Sequence, residues 1–349
     1  MSFFKINNFK ITQNTDPFFV AEIGINFEGS LELAKKTILA AKKAGADSVK
    51  FQYYKTDDFI SNKKLLLKTK NNKSTKIYQY DLFKKNELNF NQIRELKEFS
   101  DKNKILFHAT PTNEKAVNEL IEIGCRVIKN GSDFLTNFKI LKTIAKKKVP
   151  VILSTGMCTK KEIEFALNYF SKYKKNNIII LHCVSNYPTK IEDANIDRIL
   201  KLRKNYKILT GYSDHTIGFN SAVIARVLGA VWFEKHFTLN KKFLGPDHFF
   251  SCDQKDFQDY ILNVKNVDKI LGSGKIDLDK EQQVARNQFG VSCFSNKEIL
   301  ANKRVNLHDI NFLRPGDGIS PVDADKILGK VARKNIKKLT KLKFNLFKN

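Results

Sequence analysis

Two histidines, His215 and His236, stand close behind short apolar runs of the sequence and are well suited to hold a metal ion. The runs at 208–209 and 231–233 favour buried strands, and the small and aliphatic residues of 216–229 can form a crossover helix between them. Because neighbouring parallel strands end at the same edge of a sheet, the two imidazoles can meet over one point. Imidazole binds Mn²⁺, Co²⁺ or Zn²⁺, and two protein ligands leave positions for water and substrate, as in catalytic metal sites.

Other polar residues recur just behind apolar runs, and their types indicate one chemistry. Lys50 and Lys129, with serine and threonine hydroxyls nearby, describe a cradle for a phosphate or carboxylate, and Glu22 adds a carboxylate. Taken singly, each residue is equally explained as part of a solvated rim, and the two histidines as residues that never meet. The prediction of a site therefore depends on their convergence. The set is Glu22, Asn26, Lys50, Gln52, Thr110, Lys129, Ser132, Ser154, Thr155, His182, Ser185, Ser213, His215 and His236.

The elements that would position these residues alternate between short apolar runs and helical patterns. About eight strand–helix units fall within about 250 residues, which predicts an α/β fold of the (β/α)₈ TIM-barrel type. Active sites of such barrels lie at the carboxyl ends of the strands, where the polar residues fall. A doubly wound sheet is the alternative, but no GxGxxG turn follows the first strand. We expect strands at 18–25, 47–51, 105–109, 126–129, 151–154, 177–183, 206–211 and 231–236, and helices at 31–44, 91–102, 113–123, 137–147, 160–171, 195–204 and 253–271.

The two ends of the chain depart from this rhythm. The first 16 residues alternate around an Asn-Asn pair, which predicts a hairpin before the barrel. We expect a barrel domain over 1–274, a polar linker over 275–287 and a small β-rich domain over 288–349.

The composition bears on partners and compartment. The net charge of +26 could indicate a nucleic-acid partner, but the lysines are spread along all of the 349 residues, without an arginine-rich helix or a zinc-finger spacing. We therefore expect no nucleic acid as a partner, and a positive field that helps an anionic substrate. No apolar run approaches the roughly 20 residues of a membrane helix, so we expect no membrane contact. The five scattered cysteines and the lack of a signal-peptide pattern predict a cytoplasmic protein with reduced thiols.

A series of motifs, in order, resembles the sialic acid synthase (N-acetylneuraminate synthase) family. The resemblance covers nearly the whole chain, and 288–349 resembles the antifreeze-like (SAF) domain that these synthases carry at the C-terminus. The motifs are AEIGIN (21–26), AGADSVKFQ (44–52), ATP (109–111), KNGSDFLTN (129–137), VPVILSTGM (149–157), LHCVSNYPT (181–189), GYSDHT (211–216), EKHFT (234–238), GPDH (245–248) and RPGDGI (314–319).

The resemblance implies that phosphoenolpyruvate condenses with an N-acetylated mannosamine-type sugar to give a nine-carbon 2-keto acid and phosphate. Carbon 3 of the enolpyruvate would attack the sugar aldehyde, water would add at carbon 2, and phosphate would leave by C–O cleavage. A divalent ion, Mn²⁺ or alternatively Mg²⁺ or Co²⁺, would be held by His215 and His236 and would polarise the aldehyde.

The resemblance also implies roles for single residues. The expected catalytic residues are Glu22 and Asp133: Glu22 matches an essential glutamate and could manage a proton, and Asp133 would stand in for a glutamate that many members have nearby. Arg314 would come from the antifreeze-like domain of a partner subunit and reach the N-acetyl group, which implies a domain-swapped homodimer; otherwise its RPGDG segment is a plain tight turn. The expected phosphoenolpyruvate-binding residues are Lys50, Thr110, Lys129, Ser132, Ser154, Ser185 and Ser213, and the expected sugar-binding residues are Gln52, Tyr187, Asp247 and Arg314.

Some positions depart from the family pattern and bear on the choice of sugar. The usual histidine after Asn26 is Phe27, and a common arginine pair is replaced at Gly290. Phe27 and Phe134 would form an apolar floor, which fits the 6-deoxy, di-N-acetylated sugars from which relatives make legionaminic or pseudaminic acids. N-acetylmannosamine stays open as the sugar, and the alternative function is a carbohydrate- or anion-binding barrel without turnover.

Overall fold

The computed structural model of the chain describes residues 3–6, 9–67 and 77–349. The chain forms two compact units, Met1–Gly272 and Ser273–Asn349. The first unit begins with the predicted hairpin, in which β1 (Phe4–Ile6) pairs antiparallel with β2 (Phe9–Ile11). The Asn-Asn pair that was expected to form its turn lies outside the described residues.

Eight parallel strands close into a barrel, which confirms the predicted (β/α)₈ fold. The last strand pairs with the first, and every strand pairs with its neighbour along the chain. The strands are β3 (Phe18–Gly24), β4 (Ser48–Tyr53), β5 (Leu106–Pro111), β6 (Ile128–Asn130), β7 (Val151–Ser154), β8 (Ile178–Cys183), β9 (Leu209–Asp214) and β10 (Ala230–His236). The helices are α1 (Leu31–Lys43), α2 (Gln79–Lys85), α3 (Phe90–Lys102), α4 (Glu114–Glu122), α5 (Phe138–Ala145), α6 (Lys160–Lys172), α7 (Asp197–Tyr206), α8 (Asn220–Val227) and α9 (Gln254–Leu271).

Strand alternation sorts the barrel residues into two apolar layers. Phe18 faces the barrel interior, where its ring stacks on Trp232 at 4.4 Å, and Phe4 of the hairpin meets the same indole at 6.0 Å. The hairpin thus closes the end of the barrel where the strands begin. Phe19 faces outward and packs with Phe233 and Tyr260 under the helices. Each such fully buried side chain contributes roughly 1.5–3 kcal/mol.

Two elements of the first unit differ most from the sequence-based expectation. The strand expected at 206–211 is β9, Leu209–Asp214, because α7 continues through Tyr206 and ends at Lys207 in the left-handed conformation. Helix α2 was not predicted, because it has no buried residue and so no apolar period.

The second unit is small and β-rich, as expected for the end of the chain. It begins with α10 (Lys280–Phe289), which occupies much of the stretch expected as a linker and was missed because it too buries no residue. Two antiparallel pairs follow, β11 (Ser292–Ser295) with β12 (Ile310–Leu313) and β13 (Val331–Ala332) with β14 (Phe347–Lys348). Its resemblance to an antifreeze-like domain stays a prediction.

Two further observations bear on partners and redox state. All five cysteines are free thiols. Within the ranges that the structure describes, no helix has the length and apolar character needed to cross a bilayer.

Candidate active site

A cavity of about 400 Å³ lies at the carboxyl ends of the barrel strands. Most of the predicted site residues line it, so the polar strand ends converge as the barrel fold predicts. They are Glu22, Lys50, Gln52, Thr110, Lys129, Ser132, Asp133, Ser154, Ser185, Tyr187, Ser213, His215 and His236. A larger depression of about 820 Å³ lies at the other end of the barrel, but its described lining holds no carboxylate and no imidazole.

Lys50 lies between two carboxylates at the floor of this cavity. Its Nζ atom is 2.6 Å from Glu22 Oε2 and 2.6 Å from Glu234 Oε2, and Lys129 Nζ is 3.3 Å from the same Glu234 oxygen. Trp232 donates to the other Glu234 oxygen at 3.3 Å. Glu234 was not among the predicted site residues, although it lies two positions before His236 and therefore on the same face of β10.

Burial and neighbouring charges set the ionisation of this cluster. Burial lowers the pKa of Lys50 to about 8, although the adjacent Glu234 opposes that shift. Burial alone would raise the pKa of Glu234, but the charges of Lys129 and Lys50 outweigh it and hold that pKa well below its usual range. Near neutral pH the cluster therefore presents protonated Lys50 held by ionised Glu234.

Serine hydroxyls border the lysines. The Ser154 hydroxyl is buried and has no hydrogen-bond partner in the described part of the chain. Ser132 Oγ accepts from the Gly156 amide at 2.9 Å, and a Cβ on Gly156 would lie 2.5 Å from Ser185 Oγ. Only glycine leaves room for both hydroxyls at that position. A buried polar atom without a partner indicates a place for a ligand oxygen.

The two imidazoles meet as predicted, with ring centroids 5.4 Å apart. His215 Nδ1 is 2.7 Å from the Val184 carbonyl, which can only accept, so Nδ1 carries a proton and Nε2 is left for a ligand. His236 Nδ1 is buried without a hydrogen-bond partner among the described residues. Burial and the nearby His215 lower the pKa of His236 well below its usual value, so its imidazole is neutral.

This donor set fits a divalent ion. Glu22 Oε1, close to the His236 ring across Gly24, also has no donor among the residues described. Those residues form no group of three or more side chains able to hold a metal, so two imidazoles would bind it and leave positions for water and substrate. Burial would lower the pKa of His215, but the adjacent Cys183 raises it.

One wall of the cavity is apolar, and it joins the predicted Phe134 to two residues that were not predicted. Phe59 and Phe83 line it together with Phe134, and the Phe59 ring is 5.4 Å from Phe83 and 6.3 Å from Phe134. The expectation that Phe27 forms part of this floor is wrong. Turns after β3 direct Phe27 into the helix-side core, 5.8 Å from Phe51.

Two predicted sugar-binding residues do not line the cavity. Asp247 lies beside it, with Oδ2 3.8 Å from His236 Nδ1, and burial raises its pKa to about 6. Arg314 belongs to the second unit, where its guanidinium lies 5.9 Å over the Phe289 ring. Gly290 ends α10, and a Cβ at this position would lie 2.5 Å from the Arg286 carbonyl oxygen. The replacement of arginine at Gly290 therefore has a packing reason.

Comparison with known proteins agrees with this geometry. The NeuB family model matches residues 37–276. N,N'-diacetyllegionaminic acid synthase of Campylobacter jejuni is 37% identical, with 91% of this chain and 96% of the relative covered. Pseudaminic acid synthase of the same species is 34% identical over 95% and 96%. The crystal structure of N-acetylneuraminic acid (sialic acid) synthetase from Leptospira borgpetersenii serovar Hardjo-bovis is 34% identical, covers 81% of this chain and 95% of that one, and has a TM-score of 0.73.

The family match covers more than half of the chain, and these relatives match almost end to end. The resemblance drawn from the motifs is therefore confirmed. The chain belongs to the NeuB family of sialic-acid-type synthases.

Proposed function

We propose that this synthase condenses phosphoenolpyruvate with an N-acetylated mannosamine-type sugar to a nine-carbon 2-keto acid, with release of phosphate. The observation that carries the proposal is the arrangement of Lys50 and Lys129 beside the His215–His236 pair in one cavity. Lysines and serine hydroxyls suit the phosphate and carboxylate of the enol substrate. The buried Ser154 hydroxyl has no hydrogen-bond partner among the described residues, so an oxygen of the enol substrate would supply one.

A divalent ion, Mn²⁺ or alternatively Mg²⁺ or Co²⁺, would be held by His215 and His236, and when bound it supplies Lewis-acid polarisation of the sugar aldehyde. Glu22 and Glu234 have different parts to play. Glu234 is tied to the lysines and Trp232, whereas Glu22 keeps one oxygen free on the histidine side. Glu22 is therefore our candidate for holding a proton at the reacting centre, while Glu234 keeps the lysines in place.

The sugar would lie between the imidazoles and the apolar wall, with Gln52, Tyr187, Asp133 and Asp247 as partners for its hydroxyl and acetamido groups. The wall of Phe59, Phe83 and Phe134 offers no hydrogen-bond partner to a hydroxymethyl group. It therefore favours a 6-deoxy, di-N-acetylated sugar over N-acetylmannosamine. The relatives named for legionaminic and pseudaminic acids support the same choice.

The test is phosphate release from phosphoenolpyruvate with Mn²⁺ and a panel of mono- and di-N-acetylated hexosamines, with the product identified by its mass. We expect release with at least one sugar, and none from a folded His236→Ala variant that has lost its metal. Ligand-induced thermal stabilisation without any product would instead identify a binding protein that has lost turnover.

A further inference from the structure

The strands that carry the two imidazoles pair out of regular register. Ala230 pairs with Thr210, but Phe233 pairs with Tyr212, so β10 holds one residue more than β9 over this interval. Beyond the extra residue, Lys235 stands opposite Asp214. His215 and His236 directly follow this last pair, so the register there decides where both imidazoles lie.

Gly211 of β9 leaves the space that the extra residue of β10 requires. A Cβ on Gly211 would collide with the Trp232 carbonyl oxygen and would lie 2.6 Å from a methyl of Leu181. The β10 backbone can bulge toward β9 only because this position has no side chain. However, close packing at Gly211 does not by itself select the register beyond the bulge.

A buried ion pair joins the strands where the register resumes. Lys235 Nζ is 2.9 Å from Asp214 Oδ2, and the two side chains are 2% and 0% exposed. The other carboxylate oxygen, Asp214 Oδ1, accepts from the Thr216 amide at 2.8 Å and from its hydroxyl at 2.7 Å. Lys235 also donates to the Thr216 carbonyl, so the network spans both sides of His215.

This network lies behind the sheet and touches neither the cavity nor a substrate. Lys235 points away from Glu234 and His236, and its Nζ lies 5.3 Å over the Tyr260 ring of α9. A buried ion pair adds little to stability compared with apolar residues of similar size, so its presence calls for another reason. A slip that removed the extra residue would place Lys235 opposite His215 and reverse the faces of β10.

We propose that the Asp214–Lys235 pair is a positioning device: it locks β9 and β10 in the bulged register and so holds His215 and His236 at metal-sharing separation. Asp214 and Lys235 are positioning residues, not ligands. The inference rests on the proposed function, because it takes the two histidines to be the metal ligands.

The test is a titration of chelator-treated, full-length protein with Mn²⁺, in which free Mn²⁺ is followed by electron paramagnetic resonance. The main variant is Asp214→Asn with Lys235→Met, which removes both charges together and keeps an acceptor for Thr216. We expect its Kd for Mn²⁺ to rise about 10- to 100-fold, the usual effect of losing support for metal ligands. Arg226→Met is the matched control, since it breaks the Arg226–Asp268 pair, 2.7 Å long, between α8 and α9.

The control should lose thermal stability yet keep its Kd within about a factor of two of wild type, because Arg226 anchors the other end of β10. If the double variant does not fold, Asp214→Glu serves as the second variant. It keeps both charges but lengthens the acidic side chain of the ion pair, and its Kd for Mn²⁺ should rise severalfold. A wild-type Kd in the folded variant would overturn the positioning role alone. Wild-type protein that holds no Mn²⁺ would contradict the metal assignment, and this inference with it.

Discussion

At the residue scale, the chemistry depends on keeping Lys50 charged inside a barrel. Burial opposes the charge on Lys50, and ionised Glu234 restores part of it. The same burial keeps His236 neutral and so available as a ligand. The same cavity floor thus holds a cationic lysine for an anionic substrate and a neutral His236 imidazole for a metal, because Glu234 lies beside Lys50.

The pKa of Lys50, about 8, predicts an alkaline limit to activity. The lysine is protonated below that pH and neutral above it, so kcat/KM for phosphoenolpyruvate should fall as the pH rises through about 8. The measurement is a pH profile at saturating sugar. Lys50→Arg, which stays charged, should lack this limb even if its activity is lower. A limb that persists in the arginine variant would assign the titration to another group.

Removal of the Glu234 charge should shift the pH at which kcat/KM falls on the alkaline side. Because Glu234 raises the pKa of Lys50, Glu234→Gln should shift the alkaline fall of kcat/KM to lower pH by about one unit, equivalent to about 1.4 kcal/mol. Glu95→Gln on the outer face of α3 is the control and should leave the profile unchanged. An unshifted profile in folded Glu234→Gln protein would show that the two groups are not coupled.

At the element scale, strand ends and loops contribute differently to the site. The strands bring the lysines, serines and histidines to one edge, whereas the apolar wall comes from the segment after β4 and from Phe134 after β6. If the wall selects the sugar, Phe83→Tyr should lower the kcat/KM ratio of a 6-deoxy, di-N-acetylated sugar to N-acetylmannosamine severalfold, because it supplies a hydroxyl partner. Phe165→Tyr on α6 is the control, and equal ratios in both variants would exclude the wall as the selector.

This contrast between strand ends and loops explains which parts of the site could be predicted from the sequence. The barrel strands carry short but continuous apolar runs, so their ends, and with them the lysine cradle and the histidine pair, could be placed from the sequence. Glu234 was not predicted because it lies within the strand and not at its end, although strand alternation places it on the same face as His236. Phe27 was misplaced because the backbone turns after β3, and no periodic pattern records a turn. Phe134 was predicted, but Phe83 was not, because α2 is polar and gives no helical period.

At the scale of the whole molecule, the domain-swapped homodimer that the family resemblance implies would place Arg314 of each subunit over the cavity of its partner. Arg314→Ala and His236→Ala subunits should then complement each other, since one site of a mixed dimer has an intact barrel and an intact arginine. Random mixing of the two inactive proteins after reversible dissociation should restore about a quarter of wild-type activity. Phosphate release after mixing is the measurement, and its absence from verified mixed dimers would contradict the swap.

The most direct test of the proposed reaction follows the oxygen that bridges carbon 2 and phosphorus in phosphoenolpyruvate. With that oxygen labelled as ¹⁸O, with Mn²⁺ and with the preferred sugar, C–O cleavage should deliver the label to the released phosphate together with a nine-carbon keto acid. Mass spectrometry of the phosphate reads the outcome. Phosphate without the label, or no phosphate with any sugar of the panel, would contradict the proposed condensation.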